Sequence, residues 1–393
     1  TSCMMIKSRS VITGPTFLAM GLIGVFHAFW GTTLPALRDF LLVTIEEAAL
    51  LSSANLVGQA VACLPGGLLC DLLRREKVLM FGCFMLGFGV LLLGKISSYH
   101  VAILTAFWMG LGCGLIIISS TAVFIKLYPD RKGPIINLNQ VIYGGLLLVS
   151  PLIMGHLLTS SMGWQMGFGG LGVLLAGVGI FFLLTRLPGS ISGSTGAFVR
   201  EIRRLFGSRV FIILLFTNGM GVGAQIGIMY YVVTLLTDAK GFSILHAGSV
   251  LSAFYICLFV GRLTCSWATL RTSLTKIIII LLLLQFAGLI VAWQGKGWIS
   301  ALGVAMAGLG CSGLFPCLLA LTGTLFFDLA GTSMGALTSA GYVGGMVMVW
   351  ASGYFSQKFG LNYGFVPIIL GSLICCSFFL YKRKIILLEE EKS

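Results

Sequence analysis

Two runs, Leu171 to Leu184 and Ile277 to Leu284, are apolar at every position, so neither offers a polar face to water as a strand or as a helix. Segments of this kind are stable only in apolar surroundings, either a deep protein core or lipid. Composition decides between the two. Only 9% of the 393 residues are charged and 58% are hydrophobic, whereas a soluble domain carries about 25% charged residues. Lipid is therefore the main solvent, and the predicted fold class is an all-α membrane protein. A β-barrel is excluded because barrel strands alternate lipid-facing and lumen-facing residues. The 53 glycines agree with this reading, since small residues let transmembrane helices approach closely.

At about 20 apolar residues per span, the chain divides into twelve predicted helices near 13–36, 46–71, 77–95, 99–126, 133–157, 164–186, 209–237, 242–268, 274–294, 297–326, 329–356 and 361–382. The one long polar segment, 188–208, is rich in Gly and Ser and separates them into two sets of six. The expected organisation is an N-terminal six-helix bundle over 1–187, a linker over 188–208, and a C-terminal six-helix bundle with a short tail over 209–393. Basic residues test the count, because wrongly drawn spans would scatter Lys and Arg over both sides. With these spans, nineteen of the 25 fall on the side of the termini and linker, five on the other, and Arg262 lies near the inner end of the eighth helix. Both termini are thus expected in the cytoplasm and the chain in the cell (inner) membrane. Thr1 to Ser10 reads as a polar lead-in to the first span rather than a cleavable signal.

The net charge of +13 follows the same bias and points to anionic lipid headgroups, not to nucleic acid. Eleven cysteines, without C-x-x-C spacing or neighbouring His, indicate neither a metal site nor a disulfide framework. No nucleophile and base pair is evident within the spans, so no catalytic residue and no enzymatic cofactor is expected.

Between the second and third spans stand Gly67, Asp71, Arg74, Arg75, Glu76 and Lys77. The stretch resembles the loop signature of the major facilitator superfamily, G-x-x-x-D-R-x-G-R-R/K. Gly67, Asp71 and Arg75 match; Leu72, Arg74 and Glu76 depart from it, and Lys77 comes one position late. The second half holds a weaker echo, Gly261 and Arg262 through Leu270 and Arg271 to Lys276. This resemblance implies two pseudo-symmetric six-helix bundles and a cytoplasmic gate that includes Gly67, Asp71, Arg75, Lys77 and Arg262. Asn137, Asn139, Gln140, Tyr143 and Gly144 in the fifth helix, together with Gly261-Arg262-Leu263 and Phe315-Pro316, are similar to the fucose/glucose proton-symporter group of the superfamily. Ser150-Pro151-x-x-x-Gly155 approaches the G-P-x-x-x-G of drug antiporters, with serine in place of glycine.

That likeness implies a secondary transporter working by alternating access, as a monomer, on a small-molecule substrate. Fucose-type symporters carry protons on carboxylates in the first and fourth helices. All twelve acidic residues here fall at helix ends or in loops. His27 is the one titratable group well inside a first-half span, and it is the candidate for coupling to H+; an interhelical hydrogen-bonding role is the competing reading. Mid-span polar and aromatic residues also include Trp30, Asn55, Gln59, Trp108, Asn218, Gln225, Tyr230, Tyr255, Thr322 and Tyr342. The expected substrate contacts are His27, Trp30, Asn137, Gln140, Tyr143, Asn218, Gln225, Tyr230 and Tyr342, a set of amides and aromatic faces suited to a sugar-like solute. An exporter of drugs or a carrier of organic ions in the same fold is the alternative, and an apolar cavity or an inward-facing Arg or Lys would favour it.

Overall fold

The computed structural model describes residues 2–96, 98–128, 132–160, 163–185, 205–269, 271–326 and 330–390. Twelve long helices run through them: α1 (Ser2–Leu41), α2 (Ile45–Leu72), α3 (Arg75–Leu93), α4 (Tyr99–Leu127), α5 (Lys132–Thr159), α6 (Gly163–Leu184), α7 (Arg209–Thr234), α8 (Ile244–Ala268), α9 (Leu274–Gln294), α10 (Trp298–Leu325), α11 (Ala330–Phe359) and α12 (Val366–Glu390). No strand occurs among the described residues. Ten of the helices are long and apolar enough to cross a membrane; α2 and α11 are the two richer in small and polar residues.

Most helix ends lie close to the expected bounds. The main differences come from the polar flanks: α1 already begins at Ser2 and α12 continues to Glu390, because a helix bonds its own backbone whether or not lipid surrounds it. A second difference lies inside α10, which breaks at Gly313 into Trp298–Ser312 and Leu314–Leu325. Pro316 explains the break, since it has no N–H for the carbonyl of Ser312 four residues back.

Packing repeats between the two sets of six. In the first, α1 packs on α5 and α6, α2 on α4, and α3 on α4 and α6; in the second, α7 packs on α11 and α12, α8 on α10, and α9 on α10 and α12. Adding six to each label converts one set of contacts into the other, which is the two-fold pseudo-symmetry expected of a duplicated half. Contacts between the sets obey the same rule. The pairs α2 with α11 and α5 with α8 exchange under it, and α1 meets its own counterpart α7.

Glycine makes these crossings possible. A Cβ on Gly344 of α11 would overlap the carbonyl of Gly219 on α7, and one on Gly31 of α1 would overlap the carbonyl of Met229 on α7. Gly110 of α4 lies equally close to the Asn55 carbonyl of α2. At such crossings dispersion contacts and short backbone approach replace the hydrophobic effect, which does not separate helix from lipid.

Candidate functional site

At mid-depth on α1, Phe26, His27 and Trp30 are all buried. The imidazole Nδ1 of His27 stands 2.9 Å from the hydroxyl of Tyr143 on α5, with the rings 6.0 Å apart edge to face. On its other side are Tyr230 of α7, with ring centroids 6.4 Å apart, and Gln59 of α2. Gln59 Nε2 donates to Asn55 Oδ1 at 2.8 Å, and Asn55 Nδ2 donates to the carbonyl of Ala106 on α4 at 3.0 Å. The Tyr230 hydroxyl makes a longer contact, 3.4 Å, with the same Asn55 oxygen. Five side chains from four helices thus gather in one polar cluster that reaches from the first six helices to the second, in two bonded pieces: His27 with Tyr143, and Gln59 with Asn55 and Tyr230.

The cluster is incomplete. His27 Nε2, Gln59 Oε1, Gln225 Oε1 and the Tyr255 hydroxyl are buried without a hydrogen-bond partner. A buried polar atom left in this state costs about 1–3 kcal/mol, so a set of them at one depth calls for a ligand or water to complete it.

Above the cluster, on the face opposite the termini, the two sets of helices close on each other. Arg38 at the end of α1 is ion-paired with Asp238, which follows α7, and also with the adjacent Asp39 at 2.9 Å. Both partners of the crossing pair are largely buried, with side chains 19% and 17% exposed. Lower down, Ser53 donates to the carbonyl of Met346 at 3.2 Å and Ser339 to that of Ala60 at 3.3 Å, both joining α2 and α11. Gly248 of α8 meets the carbonyl of Pro151 on α5.

The expected contact residues separate into groups. His27, Tyr143 and Tyr230 meet in the cluster. Trp30 lies beside it, 1% exposed, with its indole N–H satisfied by Ser52 Oγ at 2.8 Å. Asn218 donates to the carbonyl of Leu337 at 2.6 Å and so ties α7 to α11. Gln225 is buried on α7, and Gln140 and Tyr342 are half-buried on α5 and α11. Trp108, considered for its depth, is 45% exposed on the outside of the helix bundle. Gly67 falls within α2, and its surroundings and the side chains of Asp71 and Asn137 lie outside what the structure describes. Of the expected gate, Arg75 donates to the carbonyl of Ala122 on α4 at 3.1 Å and Lys77 to that of Leu183 on α6 at 2.8 Å. Arg262 is half-buried on α8, and its Nε donates to the carbonyl of Ser312 on α10 at 3.2 Å.

Asn55 and Gln59 joined the cluster although neither stood out among the mid-span amides. Their spacing of four residues, which places both on one face of α2, was the available signal. The crossing of Arg38 with Asp238 was not expected; its signal was that two opposite charges end equivalent helices of the two halves.

A family model, Major Facilitator Superfamily, matches residues 16–348. The chain belongs to this superfamily. Members of the superfamily are transporters and not enzymes. An uncharacterised MFS-type transporter of Shigella flexneri, YhhS, is 27% identical over 358 residues, covering 83% of this chain and 78% of that protein. A facilitated glucose transporter of Xenopus laevis, solute carrier family 2 member 12, is 33% identical over 152 residues; the match covers 37% of this chain and only 26% of that protein. Among solved structures, the fold superposes on the E. coli fucose:proton symporter with TM-score 0.68 and 17% identity, over 96% of this chain and 99% of that one. It also superposes on a bacterial homologue of the human lysosomal transporter Spinster in an inward-facing, unoccupied conformation, with TM-score 0.79 and 14% identity over 97% and 98% of the two chains. Together these matches establish the major facilitator fold, a membrane-embedded bundle.

Proposed function

We propose that this superfamily member moves a small polar, hydroxyl-rich solute of sugar-like size by alternating access, acting as a monomer. The observation that carries the reading is the incompletely satisfied polar cluster of His27, Tyr143, Gln59, Asn55 and Tyr230, which draws on both sets of helices beneath a closed face. Amide and phenol groups recognise hydroxyls, and the flanking rings offer apolar faces. Two units, 1–187 and 209–393, rock about this point, with 188–208 as the linker between them. The basic residues favour cytoplasmic termini, and the face closed by Arg38 and Asp238 is then the outer one. The sugars named for the fucose symporter and the glucose transporter support the sugar-like class.

Any coupling to protons runs through His27, whose imidazole is the group of the cluster that ordinarily titrates near neutral pH. The test uses purified protein in liposomes and a panel of labelled sugars and other polar solutes, with and without an imposed pH gradient, beside His27→Ala. Gradient-driven accumulation that the substitution abolishes establishes symport through His27. Equilibration that ignores the gradient establishes a facilitator. A panel in which no solute crosses faster than in empty liposomes contradicts the reading.

A further inference from the structure

Gly248, Leu251, Tyr255 and Arg262 recur along α8 at intervals of three, four and seven residues, which places them on one face. The upper members of this stripe meet the first six helices: Gly248 approaches Pro151 and Thr32, and Leu251 approaches Gly31. Tyr255 follows, its hydroxyl buried without a partner. Two turns further on, Arg262 continues the stripe and comes within electrostatic reach of Tyr143, the partner of His27. Helical side chains lean toward the helix N-terminus, and α8 begins at the closed face, so the guanidinium is carried from Arg262 toward the middle of the bundle.

Only part of this guanidinium is engaged. Its Nε fills the carbonyl of Ser312 that Pro316 deprives of a helical donor. The two terminal nitrogens hold four more N–H groups, and no acidic side chain pairs with them among the described residues. A cation at membrane depth without a counter-ion is costly and is kept where a counter-charge arrives.

We propose that Arg262 binds the carboxylate of the transported solute, so that the substrate is a small hydroxylated organic monoanion rather than a neutral sugar. The proposal rests on the transporter reading above and narrows its substrate class. One unpaired positive charge balances one carboxylate and leaves a phosphate dianion half-neutralised. The planar fork of terminal N–H groups matches a carboxylate geometrically as well. The Tyr255 and Tyr143 hydroxyls and the amides of the polar cluster then serve the hydroxyl groups of the same molecule.

The experiment compares liposome uptake of matched pairs, gluconate with glucose and glycerate with glycerol, by the full chain and by Arg262→Gln. The expected result is uptake of the carboxylates, with their KM raised roughly 10- to 150-fold by the substitution, the worth of a charge-assisted hydrogen bond. Uptake of the neutral members alone, or a carboxylate KM that ignores the substitution, overturns the proposal and leaves the transporter reading intact. Uptake of neither class overturns both. Because Arg262→Gln risks freeing the Ser312 carbonyl, the same substitution is also made with Pro316→Ala, which returns a helical N–H to that carbonyl. Failure of both variants to fold assigns Arg262 to holding α10 together and overturns the proposal.

Discussion

Tyr143 and His27 depend on each other: the phenol is the one hydrogen-bond partner found for the imidazole Nδ1, while Nε2 has none. Tyr143→Phe keeps the ring and removes the hydroxyl, so it is expected to weaken solute binding by about 1–3 kcal/mol, read as a raised KM in uptake, together with a lower melting temperature because buried His27 Nδ1 loses its partner. Asn218 presents the opposite case. Its amide ties α7 to α11 through Leu337, so Asn218→Leu is expected to lower thermal stability by about 1–3 kcal/mol while KM stays unchanged in the protein that remains folded. A raised KM without loss of stability would place Asn218 in the site instead. Sequence made His27 legible because it is the single titratable group deep in a first-half span. It does not say whether Asn218 and Trp30 serve a solute or a neighbouring helix. An amide or an indole at mid-depth satisfies a neighbouring helix as readily as a solute, and only the position of Leu337 or Ser52 distinguishes the two.

At the scale of helices, the crossings between the two sets rest on missing side chains. Gly31 of α1 lies under the Met229 carbonyl of α7, and Gly353 of α11 lies against Ala49 of α2. Overpacking such a contact costs about 1–3 kcal/mol, and because both contacts join the two sets, that cost falls on the closed face alone. Gly31→Ala is therefore expected to open that face more often. A cysteine at Thr234, which is buried beside Arg38, should then react faster with a membrane-impermeant thiol reagent than in the parent protein. An unchanged rate would mean that the crossing yields without moving the halves. The count of helices was readable from apolar runs and basic loops, and the break in α10 was readable only as a proline. What Pro316 does to Ser312, and Arg262 to Ser312 in turn, depends on which face of α8 looks at α10, and periodicity in so apolar a helix leaves that open.

For the whole molecule, the decisive feature is the closed face, which Arg38 and Asp238 lock across the two sets. Asp238→Asn leaves Arg38 without its partner across the interface and is expected to shift the balance toward the opposite conformation by about 1–3 kcal/mol, a factor of 5–150, seen as faster reaction of the same cysteine at Thr234. Alternating access follows if the two ends open in turn. The direct measurement is of paired spin-label distances in a variant without its native cysteines. One pair sits at Leu42 and Gly241 on the closed face, the other at Leu73 and Arg271 on the face of the termini, all exposed positions. The account predicts two populations in which the distance at one face shortens as the other lengthens, with a transported solute changing their ratio. Distances that stay fixed at both faces, or lengthen together, would contradict it.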